Sequence, residues 1–504
     1  MPRILLACSL LLLGIRAAAQ TPAPAPVVDT AAPAVPLTNI QQAMRSLAVD
    51  PSMRNAAWSF LAMDVHTGEV VAEYSPQSSL TPASSMKTLT TSTILHILGR
   101  NFRFRTELQY DGRITPDGTL EGNLYLKGYG DPTFCSSLMD GVPNAETTMI
   151  LIVQGLRAAG IKRVKGAVVG DDSAFDNSPP PTWAWEDLGN AYGATATGLN
   201  VCDNQYYVII NQSNRIGEPP TMGEVTPSIP NMQLTNDLTT SPADSEENAQ
   251  IYGAPNSSAR TVAGTLPAGR GSLRVSGSMP EPAYFAAHLL RQTLDKEGIA
   301  VSEPITTMRA LLSSGRANYS PRTTLYTHLS PTLLEIVRRT NQKSNNLYAE
   351  TLLKAVGYYK TGIGSSTMGA KVVKAFLESK GIDTRGVYVE DGSGLSSRNA
   401  IPTAVFVSLM RSIALDAPMY ADFVETLPLA GVSGTLEKWF HGTPAEGIIR
   451  AKTGTLRRVL SYTGYAPTRH GRLVAFSLVV NNYNAATNAM RSRLTRTLSS
   501  LVED

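Results

Sequence analysis

The sequence predicts an α/β (α+β) fold, an antiparallel sheet flanked by helices and assembled from both ends of the chain, with a long β-rich insertion between the halves. Three observations lead there. Apolar strand patterns accompanied by an amphipathic helix occur near the N-terminus and again near the C-terminus, so both ends belong to one domain. Residues 176–260 between them are rich in Pro, Asn, Ser and Thr, with few long apolar patterns. A chain of 504 residues, 42% of them hydrophobic, can bury a large core but exceeds one ordinary domain, so two or three domains are expected.

Met1-Pro2-Arg3, an apolar run over residues 4–15 and Ala17-Ala18-Ala19-Gln20 have the layout of a cleavable secretory signal over residues 1–19. Lipidation at Cys8 is disfavoured because most of the apolar run follows it. Residues 20–37, Pro- and Ala-rich without periodicity, read as an extended linker. Ile40, Met44 and Leu47 mark an amphipathic helix, and residues 58–65 a strand that turns at His66-Thr67-Gly68-Glu69 into a second strand at Val70–Tyr74. A helix carrying Ser84 and Lys87 one turn apart runs to Leu98 and stops at Gly99.

Residues 104–110, 120–126 and 164–169 read as strands, and residues 147–159 as a helix. Within the polar insertion the clearest strand pattern is residues 206–210. Residues 283–294 are helical, and residues 333–353 form two consecutive helices. Three antiparallel strands are expected at 447–451, 461–466 and 473–480, before a last helix with Met490, Leu494, Leu498 and Leu501 on one face.

No segment after the signal approaches the roughly 20 apolar residues of a membrane span, so the mature chain is expected to be soluble, with peripheral membrane contact left open. A net charge of +3 without a long Lys/Arg run gives no nucleic-acid footprint. Export leaves Cys135 and Cys202 where disulfides are permitted, and their spacing does not choose between a bridge and two separate buried thiols.

A serine hydroxyl needs a base to become a nucleophile, and Lys87, three residues after Ser84, is placed to serve if its environment lowers its pKa. Alone, that pair reads better as a solvated helix face. Ser344-Asn345-Asn346 offers a hydroxyl that can relay a proton and a carboxamide that can hold a substrate amide; alone it reads as a polar helix start. Lys452-Thr453-Gly454-Thr455 lies on a predicted strand where Gly454 lets a substrate backbone approach, Lys452 stabilises negative charge, and the Thr453 and Thr455 hydroxyls hold a carboxylate. Lys360-Thr361-Gly362 repeats the triplet, but at the end of a helix, where its glycine acts as a stop. No Gly-x-Ser-x-Gly or His-Glu-x-x-His pattern occurs, and the six histidines lack metal-ligand spacing, so neither a metal nor another cofactor is expected.

The order Ser-x-x-Lys, Ser-x-Asn, Lys-Thr-Gly is the signature set of serine β-lactamases and penicillin-binding proteins. With Pro82-Ala83-Ser84-Ser85-Met86-Lys87, Gly128-Tyr129-Gly130-Asp131-Pro132-Thr133, Asp391-Gly392-Ser393-Gly394-Leu395-Ser396, Leu427-Pro428-Leu429-Ala430-Gly431 and Ala451-Lys452-Thr453-Gly454-Thr455, the chain from Ile40 to its end resembles the class C low-molecular-mass penicillin-binding proteins, the D-alanyl-D-alanine carboxypeptidase/endopeptidases. The long gap from Lys87 to Ser344 distinguishes this resemblance from a single-domain β-lactamase.

The resemblance implies a penicillin-recognising serine-acyltransferase domain at residues 38–103 and 309–504. An inserted domain would span 104–173 and 262–308, with a second one nested at 174–261. It implies Ser84 as nucleophile, Lys87 as proton acceptor, Ser84 and Thr455 N–H groups as oxyanion hole, Ser344 and Lys452 as proton relay, and Asn346 on the substrate amide. Asp187 and Tyr192, beside Trp185 and Glu186, resemble the segment that recognises the free end of a diaminopimelate side chain, with Asp187 the candidate for its ammonium. The family's arginine after Gly-Leu-Ser is displaced here to Arg398, behind Ser397, which puts side-chain specificity in question. Asn345 replaces a frequent Asp and is expected to point away from substrate. The implied partners are peptidoglycan peptides and β-lactams, in the periplasm or cell-wall space. A β-lactamase and a non-catalytic wall-binding scaffold are the alternatives, and oligomeric state is not fixed.

Overall fold

The computed structural model describes residues 38–317 and 319–504. The signal, the linker and Cys8 lie outside the described residues. The first helix, Asn39–Ala48, starts at a capping box in which the Thr38 side chain accepts from the Gln41 N–H, and it buries Ile40, Met44 and Leu47.

The two chain ends meet in one sheet. Strands β1 (Ala57–Asp64), β2 (Val70–Tyr74), β3 (Arg450–Leu456), β4 (Val459–Pro467) and β5 (Leu473–Asn481) lie in the order β2-β1-β5-β4-β3, every neighbour antiparallel. Trp58 faces Val480 and Phe60 faces Leu478 across the seam. One face packs on the first and last helices through Ile40, Met44, Phe60, Leu478, Leu494 and Leu498. The other packs on helices through Leu61, Leu89, Leu352, Phe406 and Met410. Coverage on both faces explains why these strands read as apolar runs more than as clean alternation.

The strand expected at 447–451 instead starts at Arg450 and carries the whole Lys-Thr-Gly-Thr run. Gly447, at φ +69°, belongs to the turn before it, where its N–H donates to the Ala430 carbonyl. The runs 120–126 and 164–169 are each two strands. Thr119–Glu121 and Arg163–Val164 pair in a four-stranded sheet, whereas Leu124–Gly128 and Val168–Asp171 pair in a second five-stranded one. Asn123 makes the step: its N–H donates to Asp111 at 2.6 Å and its side-chain oxygen accepts from Ala167 N–H at 2.8 Å.

The polar insertion folds as two three-stranded sheets, Thr221–Thr226, Gln205–Asn211 and Ser272–Ser278 in one, Gln233–Ser241, Ala259–Pro267 and Asn248–Tyr252 in the other. Tyr206, Val208, Leu238, Ile251 and Val262 are among the residues of its core. Cys135 and Cys202 are free thiols on adjoining segments, with Cys202 N–H donating to the Phe134 carbonyl at 3.0 Å. Among the described residues no single helix is long and apolar enough to cross a membrane.

A buried lysine ties the start of the insertion to the helix Asn346–Thr361. Lys354 Nζ donates to the carbonyls of Asp176, Ser178 and Ala196 at 2.9–3.0 Å and pairs with the Asp176 carboxylate at 2.7 Å. Lys354→Met would strand those carbonyls and is expected to cost about 3 kcal/mol, read as a loss of ΔG in denaturant unfolding.

Candidate active site

Ser84 sits in the 3₁₀ turn Ala83–Met86 that leads into helix α1 (Lys87–Leu98), not in the α-helix itself. In a 3₁₀ turn side chains three apart eclipse, which sets Lys87 Nζ 2.9 Å from Ser84 Oγ. Lys87 is fully buried and has two further partners, Asn346 Oδ1 and the Ser393 carbonyl, each at 2.7 Å.

Helices α2 (Leu333–Lys343) and α3 (Asn346–Thr361) are separated by the other polar motif. Ser344, left-handed at φ +56°, ends α2, and Asn345 caps α3 by accepting from Tyr348 N–H at 3.0 Å. Asn345 therefore turns toward its own helix, while Asn346 points at Lys87. Lys452 on β3 lies 2.9 Å from Ser344 Oγ and 2.6 Å from the Thr453 carbonyl. Thr453 Oγ1 is 2.8 Å from Thr435 Oγ1. Gly454 is needed for a reason beyond substrate access: a Cβ there would sit 2.8 Å from Ser84 N and 2.6 Å from the Pro82 carbonyl, so the nucleophile turn rests on its bare backbone. The decoy triplet ends α3, with Gly362 at φ +82°.

Sequence reasoning missed the floor of the site. Two buried carboxylates fold the 391–396 turn around Lys87. Glu350, one turn after Asn346 on α3, accepts from Gly392 and Ser393 N–H at 3.0 and 2.7 Å. Asp391 accepts from Gly394 and Ser396 N–H, from Asn399 Nδ2, and from Trp183 Nε1 at 2.8 Å. The Asp391-Gly392-Ser393-Gly394 block was the available signal; Glu350 had none beyond its i+4 spacing from Asn346.

The electrostatics follow from this packing. Burial pushes the Lys87 ammonium down to about 7, against the nearby charges of Asp391 and Glu350, which favour it. Glu350 is pushed up to about 7, by burial first and then by Asp391. Burial, then the Lys87 charge, holds Lys452 well below the ordinary lysine value. Near neutrality Lys87 thus supplies an amine lone pair. Of its three partners, the Ser393 carbonyl and Asn346 Oδ1 only accept, so the lone pair falls to the Ser84 O–H.

The insertion reaches this cluster through Tyr192 and Trp183, and through Thr182, whose Oγ1 accepts from Ser396 Oγ at 2.7 Å. Asn346 Nδ2 donates to the Tyr192 carbonyl at 2.9 Å, and Trp183 binds Asp391 as above. The Tyr192 hydroxyl donates to the half-buried Asp187 carboxylate, whose pKa burial raises. Arg398 is exposed, and its guanidinium forms no ion pair among the described residues. The structure thus brings Ser84, Lys87, Ser344, Asn346 and Lys452 together, places Asp187 with Tyr192 at the rim, and leaves Arg398 on the surface.

The family model described as D-Ala-D-Ala carboxypeptidase 3 (S13) matches residues 40–501. The chain belongs to that family. It is 31% identical over 468 residues to a D-alanyl-D-alanine carboxypeptidase of Actinomadura sp. (strain R39), covering 89% of this chain and 82% of that one. It is 27% identical over 429 residues to the penicillin-sensitive carboxypeptidase A of Dictyostelium discoideum, covering 80% and 78%. The crystal structure of penicillin binding protein 4 (dacB) from Haemophilus influenzae matches with a TM-score of 0.78 at 25% identity, over 92% of this chain and all of that one. The fold is therefore the penicillin-recognising one with insertions that the S13 family shares.

If the Lys87 amine is the base, acylation by a penicillin should rise about tenfold per pH unit below about 7 and level off above it, because only the unprotonated form works. Besides Glu350, the charged group acting on Lys87 is Asp391, which favours its ammonium, while Lys87 in turn opposes the charge on Lys452. Glu350→Gln removes a charge that favours the ammonium, so the inflection should move to lower pH by roughly half a pH unit. Stopped-flow acylation rates across pH 5–9 measure both.

Proposed function

We propose that this protein is a serine D-alanyl-D-alanine carboxypeptidase/endopeptidase that acts on peptidoglycan stem peptides through an acyl-enzyme and is acylated by β-lactams. The observation that carries this reading is the fully buried Lys87 amine, 2.9 Å from Ser84 Oγ and poised near neutrality. The names of the Actinomadura and Dictyostelium relatives support the substrate and the penicillin sensitivity.

Ser84 Oγ attacks the carbonyl of the penultimate D-alanine as Lys87 takes its proton. The Ser84 and Thr455 N–H groups receive the oxyanion. Ser344, bonded to Lys452, passes a proton to the leaving amine, and Asn346 holds the substrate amide on the acyl side. Water then hydrolyses the ester. Asn346 Nδ2, which donates to the Tyr192 carbonyl, is the group that substrate would share or capture. Asp187, with its Tyr192 partner, is assigned the ammonium of the peptide side chain, and Arg398 an outer carboxylate.

The domain scheme fits this reading, with residues 38–103 and 309–504 catalytic, 104–173 and 262–308 an inserted domain, and 174–261 nested within it. Its substrate places the enzyme outside the cytoplasm, in the periplasm or wall space.

Labelled penicillin should form one covalent adduct on the wild type and none on Ser84→Ala. Cleavage of purified muropeptides, followed by mass, should yield loss of terminal D-alanine or of a cross-link and fall about 10⁴-fold or more in that variant. An undiminished adduct on Ser84→Ala sinks the proposal. Rapid penicillin turnover without peptide cleavage would make the protein a β-lactamase instead.

A further inference from the structure

We propose that Arg491, on the C-terminal helix Thr487–Ser499, is the cationic anchor for the substrate carboxylate beside the scissile bond, acting together with Thr455. The inference deepens the peptidase reading above and rests on it. Both substrates of that reaction, a terminal D-alanine and a cross-linking diaminopimelate attached through the amine of its far centre, carry a carboxylate one carbon from the leaving nitrogen. A β-lactam carries one at the equivalent place. Binding that group in a cleft floored by buried side chains requires a positive charge.

Lys452 is poorly suited to supply it. It is fully buried, and its amine is committed to Ser344 and the Thr453 carbonyl, with Lys87 opposing its charge. Arg491 is suited: its guanidinium presents a planar fork of N–H donors that matches a carboxylate. Its Nη2 donates to Thr455 Oγ1 at 2.8 Å, and its guanidinium carbon lies 5.0 Å from the Trp439 ring centroid, a cation–π contact that fixes the plane. Its Nε is buried without a hydrogen-bond partner.

What sets Arg491 apart is an uncompensated charge held against Thr455. Arg450, Arg472 and Arg493, from neighbouring segments, pair with Glu425, Asp64 and Asp50, whereas Arg491, like Arg457 and Arg458 just beyond Thr455, forms no ion pair among the described residues, and of these three it is the one bonded to the Thr455 hydroxyl. The position is also right. Thr455 follows Gly454, whose backbone abuts Ser84 N, so the guanidinium approaches the residue next to the nucleophile's support. Because Thr455 Oγ1 accepts from Arg491, its own O–H is directed away from the guanidinium and is free to donate to an anion. One carboxylate can then receive the Thr455 hydroxyl and a guanidinium N–H at once.

The test compares Arg491→Ala and Arg491→Lys with wild type on paired compounds: a penicillin against its methyl ester, and a peptide ending in D-Ala-D-Ala against its C-terminal amide. Arg491→Ala should lower the second-order acylation constant for the penicillin and kcat/KM for the acid peptide about ten- to a hundredfold, mainly through KM. The ester and amide should change less than about threefold, and Arg491→Lys should recover part of the loss. Equal losses on acid and neutral members would show that Arg491 only staples the helix to β3, and unchanged rates on all would show that it does nothing; either overturns the proposal. A normal unfolding midpoint confirms folding of each variant. Wild-type acylation at Ser84 with an Arg491→Ala rate equal to wild type would overturn this inference while leaving the peptidase reading intact.

Discussion

The site depends on one constraint, the burial of the Lys87 amine among three oxygen partners. An ammonium in that position can donate to all three, which would make Ser84 a hydrogen-bond acceptor and leave its proton in place. Desolvation makes the ammonium costly and brings its pKa to about 7. Once the proton leaves, the geometry allows only one arrangement, because a carbonyl and an amide oxygen cannot donate and a hydroxyl can. In the proposed mechanism the activation of Ser84 is thus written into the polarity of its neighbours' atoms, and each neighbour must be held by something else.

The holding is done from below and from the side. Ser393 presents its carbonyl because Glu350 grips the Gly392 and Ser393 amides while Asp391 grips those of Gly394 and Ser396. Gly394, at φ +82°, packs so closely on the nucleophile turn that a Cβ would meet the Ala83 carbonyl at 1.9 Å. In the proposed mechanism the two carboxylates have opposite effects: their hydrogen bonds build the cradle, and their charge favours the Lys87 ammonium, which cannot take the Ser84 proton. Burial, and after it Asp391, pushes the Glu350 carboxyl upward, which lessens that conflict.

The parts of this legible in the sequence were those where chemistry and periodicity coincide. Ser84 with Lys87, Ser344 with Asn346, and Lys452 with its glycine each pair a reactive group with a local spacing, and the sheet's split halves follow from apolar runs at both ends. Glu350 and Lys354 were invisible because a charged residue on a helix reads as solvated unless its partners are known, and theirs come from segments far away in the chain. These strands of the insertion escape because Gln233–Ser241 and Ala259–Pro267 are half-exposed, carry several Thr and bury few large apolar side chains, so no apolar alternation marks them. The boundary at Arg450 was misplaced because a left-handed Gly447 ends an apolar-looking stretch that the pattern alone continues. The run 120–126 failed differently: two short strands in separate sheets abut in sequence, and a one-dimensional pattern has no record of the step at Asn123.

The insertion's distance in sequence conceals how directly it bears on the base. A carboxamide can present either its oxygen or its nitrogen, and at Asn346 the choice decides whether Lys87 meets an acceptor or a competing donor. The Tyr192 carbonyl, an obligate acceptor, takes Nδ2 and so turns Oδ1 to Lys87. Tyr192 also carries the hydroxyl that donates to Asp187, and Trp183, a few residues earlier, binds the Asp391 that shapes the cradle. Lys354 pins the backbone of the same segment to α3. One stretch of inserted chain therefore sets the orientation of Asn346, supports the cage around Lys87 and presents the rim where a peptide side chain would lie.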